Sequence, residues 1–226
     1  MDKTFWICTI PAGAGKSFLG YLQAYYQGMT PYKKEEEFPE GNCWDAEVPF
    51  YLWNLEYNLP VETLPMPRGG FDISRDQKLY SKFCKKCLTD TMILQHCFPI
   101  GIEQQGVKVI HELAINIEDI ETQAFVQNLC RVKGHIKNNE EYFFPDKIID
   151  IKYLNTIFKI NNIAFELNPP KTMISYKKFF FDIDQNEIEK FLVGTLPFNE
   201  INQERLDPIC DMIEIYTKLN EELLHG

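Results

Sequence analysis

Thr4-Phe5-Trp6-Ile7-Cys8-Thr9-Ile10, running directly into Pro11-Ala12-Gly13-Ala14-Gly15-Lys16-Ser17, decides the fold. The first seven residues are apolar, β-branched or aromatic, without the alternation of a half-exposed strand; such a run suits a strand buried on both faces of a parallel sheet. Cys8 fits there as a small buried residue. Pro11 and the glycines end the strand. From Ser17 to about Gln27, Phe18, Tyr21, Leu22 and Tyr25 recur at spacings of three and four, and Gly28 stops the pattern, which predicts a helix. A loop of small residues between a strand and a helix can turn several backbone N–H groups toward an anion, and the helix adds its positive end.

Outward from this unit, Thr30 to Asp76 loosens. Lys33 to Glu37 is a charge run, six prolines interrupt any long element, and Phe50, Tyr51, Trp53, Leu55 and Tyr57 suggest an aromatic-rich insertion. Arg68-Gly69-Gly70 predicts a turn. Helical periodicity returns from Lys78 to about His96, and Gly106 to Ile110 predicts a second buried strand. Ile117 to Val132 predicts a helix, followed by a polar segment from Lys133 to Glu141. Next come a strand at Lys147 to Ile151, a short helix through Leu154 and Phe158, and a strand at Ile163 to Leu167, closed by Pro169-Pro170. Lys177 to Asp184 is an apolar run ending in acids. Residues 206, 209, 213, 216, 219 and 223 form the apolar stripe of an amphipathic terminal helix. Strands alternating with helices predict one α/β domain over residues 1–226, with a mostly parallel sheet.

Composition narrows the classes. With 226 residues, 45% hydrophobic and 25% charged, the chain has the makings of an ordinary globular core. No apolar run approaches the ~18–20 residues that cross a bilayer, and the N-terminus lacks a long apolar region with a cleavage site. The expectation is a cytoplasmic protein without a membrane partner. The net charge of −10, with four arginines among 23 basic residues, does not favour nucleic acid as a partner. Seven cysteines, an odd number in a chain of this size, argue against a disulfide scaffold.

The segment Gly15-Lys16-Ser17 with its flanking strand and helix resembles the Walker A loop of the P-loop NTPases, with one departure: Ile10 stands where the eight-residue pattern has its first glycine. The wording Pro11-Ala12-Gly13-x-Gly15-Lys16-Ser17 is shared with helicase-like ATPases among others. The resemblance covers about the first 27 residues and identifies a superfamily. It implies a three-layer α/β fold and an ATP or GTP site at Ala12, Gly13, Ala14, Gly15, Lys16, Ser17 and Phe18. Lys16 would neutralise the β- and γ-phosphates and the Ser17 hydroxyl would ligate Mg2+.

Such a site needs a carboxylate at the end of another core strand, or one that activates an acceptor. The candidates are Glu112, Asp45, Asp150, and the pair Asp182 and Asp184 after Phe179-Phe180-Phe181. Position in the chain favours Glu112 or Asp45. Asp182-x-Asp184 also resembles the first motif of the haloacid dehalogenase phosphotransferases, but too little chain follows it for that fold. Transition-state charge calls for an arginine; Arg131 adjoins the polar 131–141 segment, which has a lid-like composition, and Arg68 and Arg75 flank a glycine turn. Cys84, Cys87, His96 and Cys97 match no common zinc spacing, and His111 reads as structural.

Three functions fit these features. The first is a kinase of small acceptors, with nucleoside triphosphate and acceptor as partners and residues 30–76 forming the acceptor side. The second is an ATPase motor, against which stands the lack of a clear apolar run followed by paired acids. The third is a degenerate phosphate loop serving as an interaction module.

Overall fold

A computed structural model describes residues 3–28, 30–42, 52–54, 59–60, 91–96, 107–138, 151–195 and 202–225. Its sheet has six strands: β1 (Lys3–Thr9), β2 (Leu52–Asn54), β3 (Leu59–Pro60), β4 (Thr91–Gln95), β5 (Val107–Asn116) and β6 (Thr172–Ser175), in the order β3-β2-β4-β1-β5-β6. Four of them, β4, β1, β5 and β6, run parallel and are flanked by helices; β2 and β3 extend one edge in antiparallel pairing. β1 is bonded on both edges, with Ile7 opposite Ile93 on β4 and His111 on β5. Phe5, Ile7 and Cys8 are buried, as the unbroken apolar run predicts.

The helices are α1 (Lys16–Tyr26), α2 (Ile120–Asn138), α3 (Ile151–Leu167), α4 (Tyr176–Phe180), α5 (Gln185–Thr195) and α6 (Gln203–His225). Three have acceptors at their start. Asp119 takes a hydrogen bond from the Thr122 N–H (2.7 Å), Ser175 Oγ from that of Lys178 (3.1 Å), and Asp184 from that of Glu187 (3.2 Å). Each satisfies an N–H that the first helical turn leaves orphaned. The stripe of α6 buries Leu206, Ile209, Ile213 and Tyr216, while Leu219 and Leu223 are half-buried.

The far end of α1 is closed from α6. Arg205 Nη1 donates to the carbonyls of Tyr25 (2.6 Å) and Tyr26 (3.1 Å), placing a cation on the negative end of the helix dipole. The Asn202 N–H donates to Tyr26 Oη (2.7 Å), and Gly28 turns the chain away at φ +77. Gln23, fully buried, donates to the Leu192 carbonyl of α5 (3.1 Å), and Asn42 donates to Asn220 of α6 (2.9 Å).

Several expected elements differ. Thr91–Gln95, expected inside a helix, is strand β4: Met92, Ile93 and Leu94 are buried between β1 and β2, and an apolar triplet of this length carries no period to distinguish the two. Residues 151–167 form one helix where a helix and a strand were expected, and Ile151 opens it rather than ending a strand. The edge strand is Thr172–Ser175 instead, and Phe179-Phe180-Phe181 belongs to α4 and its C-cap, so Asp182 and Asp184 do not end a strand. β5 continues six residues beyond Ile110, enclosing Glu112. α2 continues to Asn138, so Arg131 and the polar residues up to 138 are helical, while 139–141 lie outside the described residues. In the stretch expected to be irregular, residues 30–42 carry two short 3-10 turns, and β2 and β3 widen the sheet. Among the described residues, no helix is long and apolar enough to cross a membrane.

One buried polar chain ties β1, β5 and the end of α3 together. His111 Nδ1 donates to the Asn168 carbonyl (2.6 Å), and its Nε2 lies 3.0 Å from Thr9 Oγ1. Since a carbonyl only accepts, Nδ1 carries the proton and the neutral ring's Nε2 accepts from the threonine hydroxyl. Burial pushes the His111 pKa below its ordinary value of 6.5, with the Asn168 bond opposing in part. The unfolded chain therefore takes up a proton at higher pH than the folded one. Stability from this group is complete above about pH 6.5 and falls as the pH drops toward the folded pKa. Urea unfolding midpoints measured between pH 7.5 and 5 should decline for the wild type, and His111→Gln should flatten the part of that decline due to this ring.

Candidate functional site

The chain leaves β1 for β4 on one side and later returns to β5 on the other. In an open parallel sheet this reversal opens a crevice at the carboxyl ends of the two strands where the order switches. The loop at residues 10–15 emerges there. A turn closed by Ala14 N–H to the Pro11 carbonyl (3.0 Å) folds it back, and Gly13 (φ +88) and Gly15 (φ +82) occupy the left-handed region that β-carbons disfavour. Lys16 then opens α1, whose first intrahelical bond runs from the Leu19 N–H to the Gly15 carbonyl (2.8 Å). Gly15 is the N-cap and has no side chain to offer, so the cap contributes backbone alone.

The environment of each loop residue differs. Ala12 is exposed; Gly13, Gly15 and Ser17 are half-buried; Pro11, Ala14 and Phe18 are buried. Lys16 is only 6% exposed, and its ammonium is out of contact with solvent. A β-carbon on Gly13 would fall 2.5 Å from the Val126 carbonyl oxygen and 2.8 Å from Cys130 Cβ, so α2 lies directly against the loop. A β-carbon on Gly15 would meet Tyr216 Oη at 3.0 Å and Phe180 at 3.4 Å. The Tyr216 ring is stacked on Phe18, centroids 3.9 Å apart and planes within 1°.

Three residues at this site were not foreseen. Lys133 of α2 donates to Tyr216 Oη (2.9 Å), its ammonium 4.4 Å from that ring's centroid, which carries a second cation to the neighbourhood of Gly15. Its signal is helical spacing: Val126, Cys130 and Lys133 are four and three apart and share one face of α2. Tyr216 was visible only as a member of an apolar stripe. His96, directly after β4, donates from Nδ1 to the Ile10 carbonyl (2.9 Å), at the position where the first glycine of the pattern is missing.

The expected acids distribute differently. Glu112 lies at the bulge of β5 opposite Ile7 and Cys8, ion-paired with Lys171 (2.7 Å). The Lys171 ammonium also sits 4.4 Å from the centre of the Trp6 ring. From Glu112 to the end of β5 at Asn116 is about 13 Å of extended chain, so this carboxylate is mid-strand. Asp184 caps α5. Asp45, Asp150, Arg68, Arg75, Cys84, Cys87 and Cys97 lie outside the described residues. Arg131 is half-buried on α2, roughly 100° around the helix from Cys130.

The acids that follow a core strand next to β1 are Glu118 and Asp119, after Leu113-Ala114-Ile115-Asn116-Ile117. This is an apolar run followed by paired acids, obscured in the sequence by Asn116. Glu118 is exposed. Asp119 is held below the ordinary carboxylate range, chiefly by the Thr122 N–H, and also by the positive charge of Lys177. It is ionised at neutral pH. Among the described residues no three His, Cys, Asp or Glu side chains converge on a common point. The Ser17 hydroxyl and the Asp119 carboxylate are each oxygen donors of the kind Mg2+ takes.

The close approach of α2 sets a measurable penalty. Gly13→Ala must adopt a left-handed conformation and displace a helix backbone, and should cost about 2–4 kcal/mol in urea unfolding. Gly15→Ala, which meets side-chain atoms at longer range, should cost less. An unchanged midpoint for Gly13→Ala would show that α2 does not rest on the loop.

No protein-family model, curated protein or solved structure matches this chain.

Proposed function

We propose that the chain binds a nucleoside triphosphate, ATP or GTP, at residues 12–18 and transfers its terminal phosphoryl group to a small acceptor, in the manner of a three-layer P-loop fold. The observation that carries this reading is the loop: two left-handed glycines open a helix at Lys16, at the switch point of a parallel sheet. Backbone N–H groups at a helix start suit phosphate oxygens, and Lys16 with Lys133 supplies compact positive charge. Mg2+, when bound, would draw charge from the phosphates; Ser17 would hold it directly and Asp119 through water. In the transfer an acceptor oxygen forms its bond to the terminal phosphorus as the bridging P–O bond breaks, and the acceptor proton leaves to a base. Asp45 and the neighbouring insertion remain our candidates for the acceptor side, and Arg131 for transition-state charge. A nucleoside triphosphate substrate fits a cytoplasmic location.

A second reading, ATP hydrolysis by a motor, draws support from Glu118 and Asp119, the paired acids after an apolar strand. The third, an interaction module, draws support from the tightness of the loop, with Gly13 against α2 and Gly15 against Tyr216.

The deciding experiment gives purified protein γ-labelled ATP alone, then with nucleosides and nucleotides, then with DNA. Label transfer that depends on an acceptor is expected; DNA-stimulated release of phosphate would point to the motor. Absence of ATP binding by calorimetry would overturn both. Lys16→Ala should weaken binding by about 10- to 100-fold, the loss of a charge-assisted phosphate contact, with the circular dichroism spectrum unchanged. Asp119→Asn should leave ATP affinity without Mg2+ intact and reduce the gain that Mg2+ brings.

A further inference from the structure

Among the described residues the large exposed apolar side chains are five on α3 and one, Met173, on the edge strand β6. Four of the five form a stripe. Tyr153 (54% exposed), Ile160 (58%), Ile163 (53%) and Leu167 (67%), with exposed Thr156 completing the series, are spaced three, four, three and four apart. That is the 3.5-residue repeat of a helix seam made for another helix. The other side of α3 is already used: Leu154 is buried, Phe165 reaches the His111 ring at 6.3 Å, and α2 packs alongside.

The charges beside the stripe identify the occupant. Lys152, Lys159 and Glu166 recur every seven residues along one flank, cations toward the start of α3 and the anion toward its end. Against a second copy of the same helix running antiparallel, this flank meets itself, so Lys152 faces the partner's Glu166 and Glu166 faces the partner's Lys152. One like-charge meeting, at Lys159, lies on the twofold axis. A parallel arrangement would set the flank against Ile157 and Ala164 and form no ion pair. Antiparallel packing also opposes the two helix dipoles.

We infer that the chain forms a twofold homodimer through α3, paired antiparallel along the stripe of Tyr153, Ile160, Ile163 and Leu167. The 17-residue helix is about 25 Å long, and a seam of roughly 12 Å width covers on the order of 300 Å2 per copy. That is well below the ~800 Å2 per partner of a standard interface, so the dimer is weak and exchanges freely.

Sedimentation equilibrium of the full chain, from about 5 to 500 μM, is expected to show a reversible monomer–dimer equilibrium with a Kd of tens to hundreds of micromolar, the weak end of specific association. Ile160→Lys should raise that Kd at least about tenfold, since it places two lysines on the seam, with thermal stability unchanged because the site is exposed in the monomer. Lys152→Glu alone should weaken the dimer, and Lys152→Glu with Glu166→Lys should restore it, which separates the antiparallel pair from any other contact. A monomer throughout the range overturns the proposal. So does a monomer whose melting temperature falls with Ile160→Lys, because the stripe is then covered by the chain's own residues; so does a dimer insensitive to both sets of substitutions.

Discussion

Hydrogen bonding of β1 along both edges is the constraint on which the rest of the molecule depends. A strand with parallel neighbours on either side and helices over the sheet is largely covered; Phe5, Ile7 and Cys8 are buried, Trp6 and Thr4 are half-buried, and the one buried hydroxyl, that of Thr9, is matched by His111. The same position means that the chain can leave only at the carboxyl end of the sheet, where the strand order reverses. The glycines lie at that exit, between two neighbours that also end there. α2, α4 and α6 close around the loop through Val126, Cys130, Phe180 and Tyr216. The tolerance for extra atoms at Gly13 and Gly15 is set by these helices, which are distant in sequence.

How much of this could be read beforehand follows from the range of the interactions. β1, the loop and α1 are local: an apolar run, two glycines and a three–four spacing lie within one short stretch, and the strand–loop–helix order was legible. α6 was legible for the same reason, since its stripe repeats over many turns. β4 was not, because three apolar residues between polar flanks fit either period, and pairing with β1 and β2 decides the outcome. β6 has four residues and one buried side chain, Ile174, too little for any pattern. α3 was divided because Ile163 to Leu167 resembles a strand when taken alone, whereas its exposed stripe fits only the longer helix.

The site was legible to the same degree. Loop residues announce themselves by composition, but acids and cations acquire their roles from contacts far along the chain. Glu112 reads as a strand-end carboxylate if β5 stops at Ile110; the longer strand places it beside Lys171 and moves the strand-end position to Glu118 and Asp119. Lys133 reaches Tyr216 across 83 positions, and His96 reaches Ile10 across 86. An acidic chain thus gathers cations locally: a net charge of −10 describes the whole surface, while the start of α1 has Lys16 in its first turn and Lys133 near its cap.

The clamp of Arg205 on the last carbonyls of α1 has a consequence for the opposite end of that helix. A helix held only at its N-terminus can slide or tilt when something docks there, and ordering it would consume part of the binding free energy. Here α1 is pinned at its C-terminus by two charge-assisted bonds, laterally by Gln23, and near its start by the stacking of Phe18 on Tyr216. Its first-turn N–H groups therefore point in a direction fixed before any ligand arrives. A docking anion meets a preorganised array with little reorganisation left to oppose its affinity.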